Sequence, residues 1–342
     1  MTHEFKKIIE SCVKAKTKNL KSVLATVVAL EGSSYRRPGV RMLIREDGKM
    51  TGAVSGGCVE KEILRQSTSV FKTGIPKIMT YDGRYRLGCE GILYILLEPF
   101  MVDQNFVNLF NDVLLNRQHF SIISYFRKNA GADKGFGSVL QLANGTTSSF
   151  SGKDKTNVFT EELEKFSQNL KPYLKLIVIG AEHDSVQLAA LASLNGWEVV
   201  IVAPEDDARS LANFPGATKI ENTTPANFNY KTIDRETAVL LMTHSFNKDL
   251  QFLIQMRNLD LRYLGILGPV RRREQLFQKI IEEFPETDPL FFENIHAPAG
   301  INIGAETPQE IAVSVIAEIL AVFREQDVFM LKERRGKIHS DN

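Results

Sequence analysis

The residues best suited to chemistry in this 342-residue chain sit in short glycine-bearing stretches of its first hundred positions. In GAVSGGCVE, which starts at Gly52, Ser55, Gly56 and Gly57 lead into Cys58 where a strand turns into a helix. Glycines let backbone amides crowd around a ligand, and a cysteine in a first helical turn lies near the positive end of the helix dipole, which favours thiolate. That pattern suits an anion or a reactive sulfur. It also suits close strand–helix packing, with Cys58 filling the core. Just upstream, EGSSYRRPGVRM sets Arg36 and Arg37 between a serine pair and Pro38-Gly39. Such a loop can grip phosphate bidentately or simply carry solvated charge. LGCEG places Cys89 between glycines at a loop-to-strand junction. Two cysteines in separate glycine loops can converge on a soft metal or a sulfur-bearing ligand, but they cannot close a structural zinc site unaided.

Further along, IGAEHDS stands where a dinucleotide fingerprint would stand, after a first strand and at the start of its helix. Of the fingerprint glycines only Gly180 is present, and Glu182 would set negative charge against a pyrophosphate. The position for a ribose-binding acid holds Ala203, with Glu205 and Asp206 following late, so NAD(P) is disfavoured. In LGPVRRREQ, Arg271, Arg272 and Arg273 fall in a first helical turn, where the dipole repels cations. An anionic ligand or an acidic partner surface would account for them, as would pairing with Glu274 and the acidic run beyond. His183, His244 and His296 each end a predicted strand or loop on the side where doubly wound sheets bind ligands, although each also reads as a hydrogen-bonded structural residue.

The elements that must position these residues fall into two patterns. After an opening amphipathic helix come a strand around SVLATVVAL, a hairpin over VRMLIREDGKMTGAV with Asp47-Gly48 at its turn, and a helix over CVEKEILRQSTSVF. The strand GILYILLEPF, a helix and the strand FSIISYF complete an α+β domain, residues 1–126. Residues 127–171 turn polar and Gly/Ser/Thr-rich and read as a hairpin and interdomain connection, with a short charged helix at EELEKF. From 172 to 330, LKLIVIG, EVVIVAP, TAVLLMTH and YLGILGP alternate with helices. Continuous apolar strands in that order predict a Rossmann-like, doubly wound parallel sheet. Thr307, Pro308 and Glu310 fix the start of the last helix as a capping box, and residues 331–342 read as a solvated tail.

Composition narrows the partners. Forty-two Lys+Arg against 41 Asp+Glu give a formal charge of +1 and no overall electrostatic reason for nucleic acid or an acidic membrane. Three cysteines, irregularly spaced, fit no disulfide framework, and the lysine-rich start contains no signal-like apolar core. The expected location is the cytoplasm.

Taken in order over nearly the whole chain, EGSSYRRPGVRMLI, GAVSGGCVE, LGCEG, VIGAEHDS, MTHSFNKDL, YLGILGPVRRRE and HAPAGINIGAETPQEIAVSVIAEI resemble the XdhC/CoxI family. The resemblance implies a maturation factor for molybdenum hydroxylases such as xanthine dehydrogenase, more a cofactor-binding chaperone than an enzyme with turnover. It implies transient binding of the molybdenum cofactor, help with its sulfuration by a cysteine desulfurase, and delivery to the client enzyme. Arg36 and Arg37 would face phosphate, Ser55, Gly56 and Gly57 would present donors, and Cys58 and Cys89 would stand near sulfur or molybdenum. Gly180, His183, His244, Arg271, Arg272 and His296 complete the candidate cofactor-binding set. A homodimer would suit a protein holding a labile cofactor. Glu182 and Glu90 stand where the family commonly has glycine. An NAD(P)-dependent oxidoreductase using His244 or His296, and a cofactor-free interaction module, are the other readings.

Overall fold

The computed structural model describes residues 1–32, 37–55, 57–83, 91–152 and 162–334, with the backbone alone for Cys58. The chain divides into two compact units, Met1–Pro172 and Tyr173–Asn342. The first runs α1 (Thr2–Lys16), β1 (Ser22–Glu31), β2 (Arg41–Arg45), β3 (Met50–Gly52), α2 (Cys58–Thr73), β4 (Lys77–Asp82), β5 (Ile92–Pro99), α3 (Gln104–Leu115), β6 (Phe120–Phe126), β7 (Gly131–Ala132), β8 (Gly137–Leu142), β9 (Thr147–Ser149) and β10 (Glu164–Leu170). One antiparallel sheet has the order β3-β2-β1-β5-β4-β7 and a second the order β10-β6-β8-β9.

Alternation along β1 explains how the first sheet is covered on both faces. Val23, Ala25 and Val27 pack with Val59, Ile63 and Val70 of α2, whereas Leu24 joins Phe5, Ile8 and Phe106 of α1 and α3. The β2–β3 hairpin turns at Asp47-Gly48 as expected, with Gly48 at φ +81° and its N–H donating to the Arg45 carbonyl. Buried Arg41 stands on the α1 side of β2, its guanidinium 5.8 Å from the Phe5 ring centroid. Its Nη1 donates to the Gly39 carbonyl at 3.0 Å and to Oε1 of Gln168. Burial lowers the Arg41 pKa to about 10, with Glu98 acting in the opposite sense, so it remains charged at neutral pH.

Where a helix is expected at EELEKF, the chain from Glu164 is strand β10, antiparallel to β6 with Phe166 opposite Ser124 and Leu170 opposite Phe120. Charge density suggested a solvated helix, but the burial follows a period of two: Gln168 and Leu170 point inward and Ser167 and Asn169 outward.

The second unit comprises β11 (Lys175–Ile179), α4 (His183–Leu194), β12 (Glu198–Ala203), β13 (Lys219–Asn222), β14 (Thr237–Leu241), α5 (Phe246–Met256), β15 (Tyr263–Ile266), α6 (Val270–Glu283), α7 (Pro289–Glu293), β16 (Ile295–His296) and α8 (Pro308–Arg324). Its sheet is parallel throughout, in the order β13-β12-β11-β14-β15-β16. Leu176 and Val178 face α4 and α8, and Ile177 and Ile179 face α5 and α6. The expected α/β class, an α+β region followed by a Rossmann-like sheet, is what the chain forms. Among the described residues no helix is long and apolar enough to cross a membrane.

The predicted capping box of α8 is present: the Glu310 N–H donates to Thr307 Oγ1 at 3.3 Å, and the Thr307 N–H donates to the Glu310 carboxylate at 3.0 Å. Replacing Thr307 by Ala should lower the stability of this unit by about 1 kcal/mol. Trp197, the only tryptophan, lies in the same core cluster as α8, so a shift of the urea midpoint in its fluorescence measures the effect. An unmoved midpoint would mean the cap contributes nothing.

Candidate functional site

The turn before α2 is organised by one carboxylate. Glu60 Oε1 accepts the N–H of Val54 at 3.0 Å and that of Ser55, while Oε2 accepts Ser55 Oγ at 3.0 Å and the Gly57 N–H at 2.8 Å. Glu60 is buried. Burial works against its ionisation, but the donors from Ser55, from its own backbone and from Gly57 outweigh it and hold the carboxyl below the usual carboxylate range. Gly57, the N-cap, has φ +125°, and an added Cβ there would meet nothing within 4 Å among the described residues. The helix begins at Cys58.

This arrangement redirects the expected chemistry. The Gly57 amide, read in sequence as a ligand donor, is committed to Glu60. Helix geometry leaves the N–H groups of Cys58 and Val59 as the orphan donors of the first turn. Ionised Glu60 also offsets part of the positive helix end that would favour a thiolate. Ser55 is half-buried and held by its hydroxyl on Glu60, and Arg37 is exposed. Arg36, Gly56 and Cys89 lie outside the described residues, as does the side chain of Cys58.

In the second unit, strand order reverses between β11 and β14, and a cavity of about 530 Å³ opens at the carboxyl ends of β11, β12 and β14. Gly180 and His244 both line it. Gly180 has φ +131°, and an added Cβ would stand 2.6 Å from the Met242 carbonyl oxygen. Packing alone therefore demands glycine. His183 is the exposed first residue of α4, and His244 is exposed in the loop before α5. Arg209 ties the loop after β12 to the start of α4: it pairs with Asp207, donates to the Ala181 carbonyl, and lies 3.8 Å from Glu182. The Arg209 hydrogen bonds hold the Asp207 carboxyl at a pKa of about 2.

The arginine turn and the third histidine belong to other groupings. Arg272 Nη2 donates at 2.6 Å to Asp249, a carboxylate 1% exposed that also accepts Thr243 Oγ1 at 2.6 Å. Arg273 donates to the Ala297 carbonyl at 2.8 Å, while Arg271 is exposed and without a partner among the described residues. His296 stacks on Tyr263 at 4.6 Å between centroids and sets Nδ1 3.2 Å from Glu318. Glu318 accepts the Tyr263 hydroxyl at 2.7 Å and the Gly300 N–H at 2.8 Å. Burial opposes its charge, yet the donors from His296, Tyr263 and Gly300 prevail and lower its pKa.

Sequence reasoning missed these three organising carboxylates. Glu60 stands at the third position of its helix, where a side chain reaches back to the N-cap amide. Glu318 is the lone acid inside the apolar run IAVSVIAEILAVF. Asp249 carried no such signal beyond its place in a first helical turn.

Comparison with known proteins places both units. The XdhC Rossmann domain matches residues 176–319, and the XdhC and CoxI family matches residues 16–82, which include the turn before α2. A Bacillus subtilis protein described as a probable xanthine dehydrogenase subunit is 26% identical over 329 residues, 87% of this chain and 92% of its own. The Escherichia coli molybdenum cofactor insertion chaperone PaoD is 26% identical over 337 residues, 96% of this chain and 91% of its own. A crystal structure of a xanthine dehydrogenase from Bacillus halodurans matches with a TM-score of 0.76 at 28% identity, covering 94% of this chain and 97% of that one.

Because the Glu60 pKa is lowered on folding, its stabilisation is complete above the ordinary carboxylate range and fades as pH falls through the folded value. Glu60→Gln should therefore destabilise the first unit by about 2 kcal/mol at pH 7. The gap between wild type and variant should close in acid. Thermal midpoints of both proteins from pH 7 to pH 3 test this, and a gap that widens toward acid would refute it.

Proposed function

We propose that this chain, which belongs to the XdhC and CoxI family, binds the molybdenum cofactor transiently, assists its sulfuration, and passes it to a xanthine dehydrogenase-type molybdenum hydroxylase. The names of the relatives support the maturation role: one is an insertion chaperone for this cofactor, and another is named as part of a xanthine dehydrogenase. The observation that carries the reading is the turn before α2. Glu60 gathers the amides of Val54, Ser55 and Gly57 onto one carboxylate, and Cys58 opens the helix directly after them.

The residues present suit an anionic phosphorylated pterin. Among the described residues nothing crowds Gly57, and helix geometry leaves the first-turn N–H groups of Cys58 and Val59 facing outward from the helix start. Bound here, the cofactor would supply the molybdenum centre that is to be sulfurated. The chain's part is to bind and orient. On this reading Arg36 and Arg37 would serve the phosphate, and Cys58 and Cys89 would offer soft sulfur to the metal end. Glu60 keeps the loop fixed and, by its charge, limits how tightly an anion is held. Such a limit suits a protein that must release its cargo. A cysteine desulfurase would deliver the sulfur, and the client hydroxylase would receive the product.

Coexpression with molybdenum cofactor biosynthesis, followed by purification, should yield fluorescent oxidised pterin and molybdenum in stoichiometric amounts. A bare preparation that binds NADH tightly would overturn the reading. Cys58→Ser should fold normally yet retain at least about tenfold less cofactor or sulfurated product, the loss expected for one strong contact. Unchanged retention and sulfuration would assign Cys58 to packing.

A further inference from the structure

We infer that the crevice of the Rossmann unit binds a ribonucleoside monophosphate, with the sugar diol toward the loop after β12 and the phosphate toward the start of α5 rather than α4. The inference is separable from the cofactor reading argued at the turn before α2, although Gly180 and His244, two of the candidate cofactor residues, line the same crevice. It begins with the cavity. At about 530 Å³ the crevice falls within the range of preformed small-molecule sites, roughly 300–1,000 Å³. It lies where open α/β sheets take their ligands, outside the strand ends at the reversal of strand order. Val202, Pro225 and Phe252 supply apolar wall of the kind a planar base requires.

Charge inside the crevice sets the orientation. On the β12 side, Glu205 and Asp206 line the cavity as exposed carboxylates that form no ion pair among the described residues. Their neighbour Asp207 differs, because Arg209 holds it. Two carboxylates free of cations at the end of the second strand are acceptors of the kind that grip vicinal hydroxyls. The start of α4 is hostile to phosphate: Glu182 is its N-cap and lines the same cavity. Arg209, the cation nearest that carboxylate, is already shared with Asp207 and the Ala181 carbonyl.

The opposite wall is receptive. Lys248, on the first turn of α5, and His244, just before it, both line the cavity, and the Lys248 ammonium has no partner among the described residues. The acid that would repel an anion there, Asp249, is buried and paired with Arg272 at 2.6 Å. Among the described residues lining the crevice, Lys248 is thus the available lysine or arginine cation. A dinucleotide would have to carry its pyrophosphate past Glu182, whereas a monophosphate reaching α5 avoids it.

Calorimetric titration of the full-length protein with AMP, GMP, CMP and UMP tests the inference, with adenosine, 2′-deoxy-AMP and NAD as comparators. At least one of the four ribonucleotides should bind with one-to-one stoichiometry, and loss of the 2′-hydroxyl should weaken binding by about tenfold. Lys248→Gln should weaken the monophosphate by a similar factor and leave the nucleoside unchanged, and Lys248→Arg should restore it. Glu205→Gln with Asp206→Asn should weaken both. No binding of any ribonucleotide at millimolar concentration would overturn the inference. So would equal affinity for the 2′-deoxy form, or NAD binding tighter than the monophosphates and indifferent to Lys248→Gln.

Discussion

A single buried carboxylate, Glu60, determines what the turn before α2 can offer a ligand. With its oxygens taking Val54, Ser55 and Gly57, the loop acquires a fixed shape in which the helix must start at Cys58. The same bonds subtract from the donors available to an anion and place a negative charge where a ligand's charge would come. The turn thus differs from amide-rich phosphate cradles, which leave all their first-turn donors open.

Two further carboxylates perform the equivalent task in the Rossmann unit. Asp249 joins the β14–α5 loop to α6 through Thr243 and Arg272, and Glu318 joins β15, β16 and the Gly300 loop to α8 through Tyr263, His296 and the Gly300 amide. Asp249 is buried and Glu318 half-buried, and each is satisfied by donors from separate segments. A buried charge with that many partners is costly to strand, so removing one donor disturbs all the segments it joins. These clasps account for an arginine run that looked like a ligand site: Arg272 and Arg273 are spent on holding loops.

Much of the architecture was legible in the sequence because periodicity reports it directly. The apolar strands from LKLIVIG to YLGILGP can be buried only between two helical layers, and the observed sheet has that form. The cap at Thr307 and the hairpin at Asp47-Gly48 were readable from turn and cap chemistry. Strand β10 was not, since Glu164 and Lys165 look helical until Phe126 and Tyr125 are known to lie opposite them. The site was legible only as local glycine loops. Partnership at a distance has no local signature: nothing in RRRE says that Arg272 faces Asp249, 23 residues earlier, and nothing in VSGGC says that Val54 and Ser55 give their amides to Glu60.

Gly180 carries a lesson of another kind. Its Cβ-less backbone is required by the Met242 carbonyl beside it, whether or not any phosphate was ever bound above. The same close approach would demand glycine at this strand end whatever the crevice beside it takes up. A lone first glycine at such a strand end therefore reports how near the neighbouring backbone runs, and by itself says nothing about nucleotide recognition.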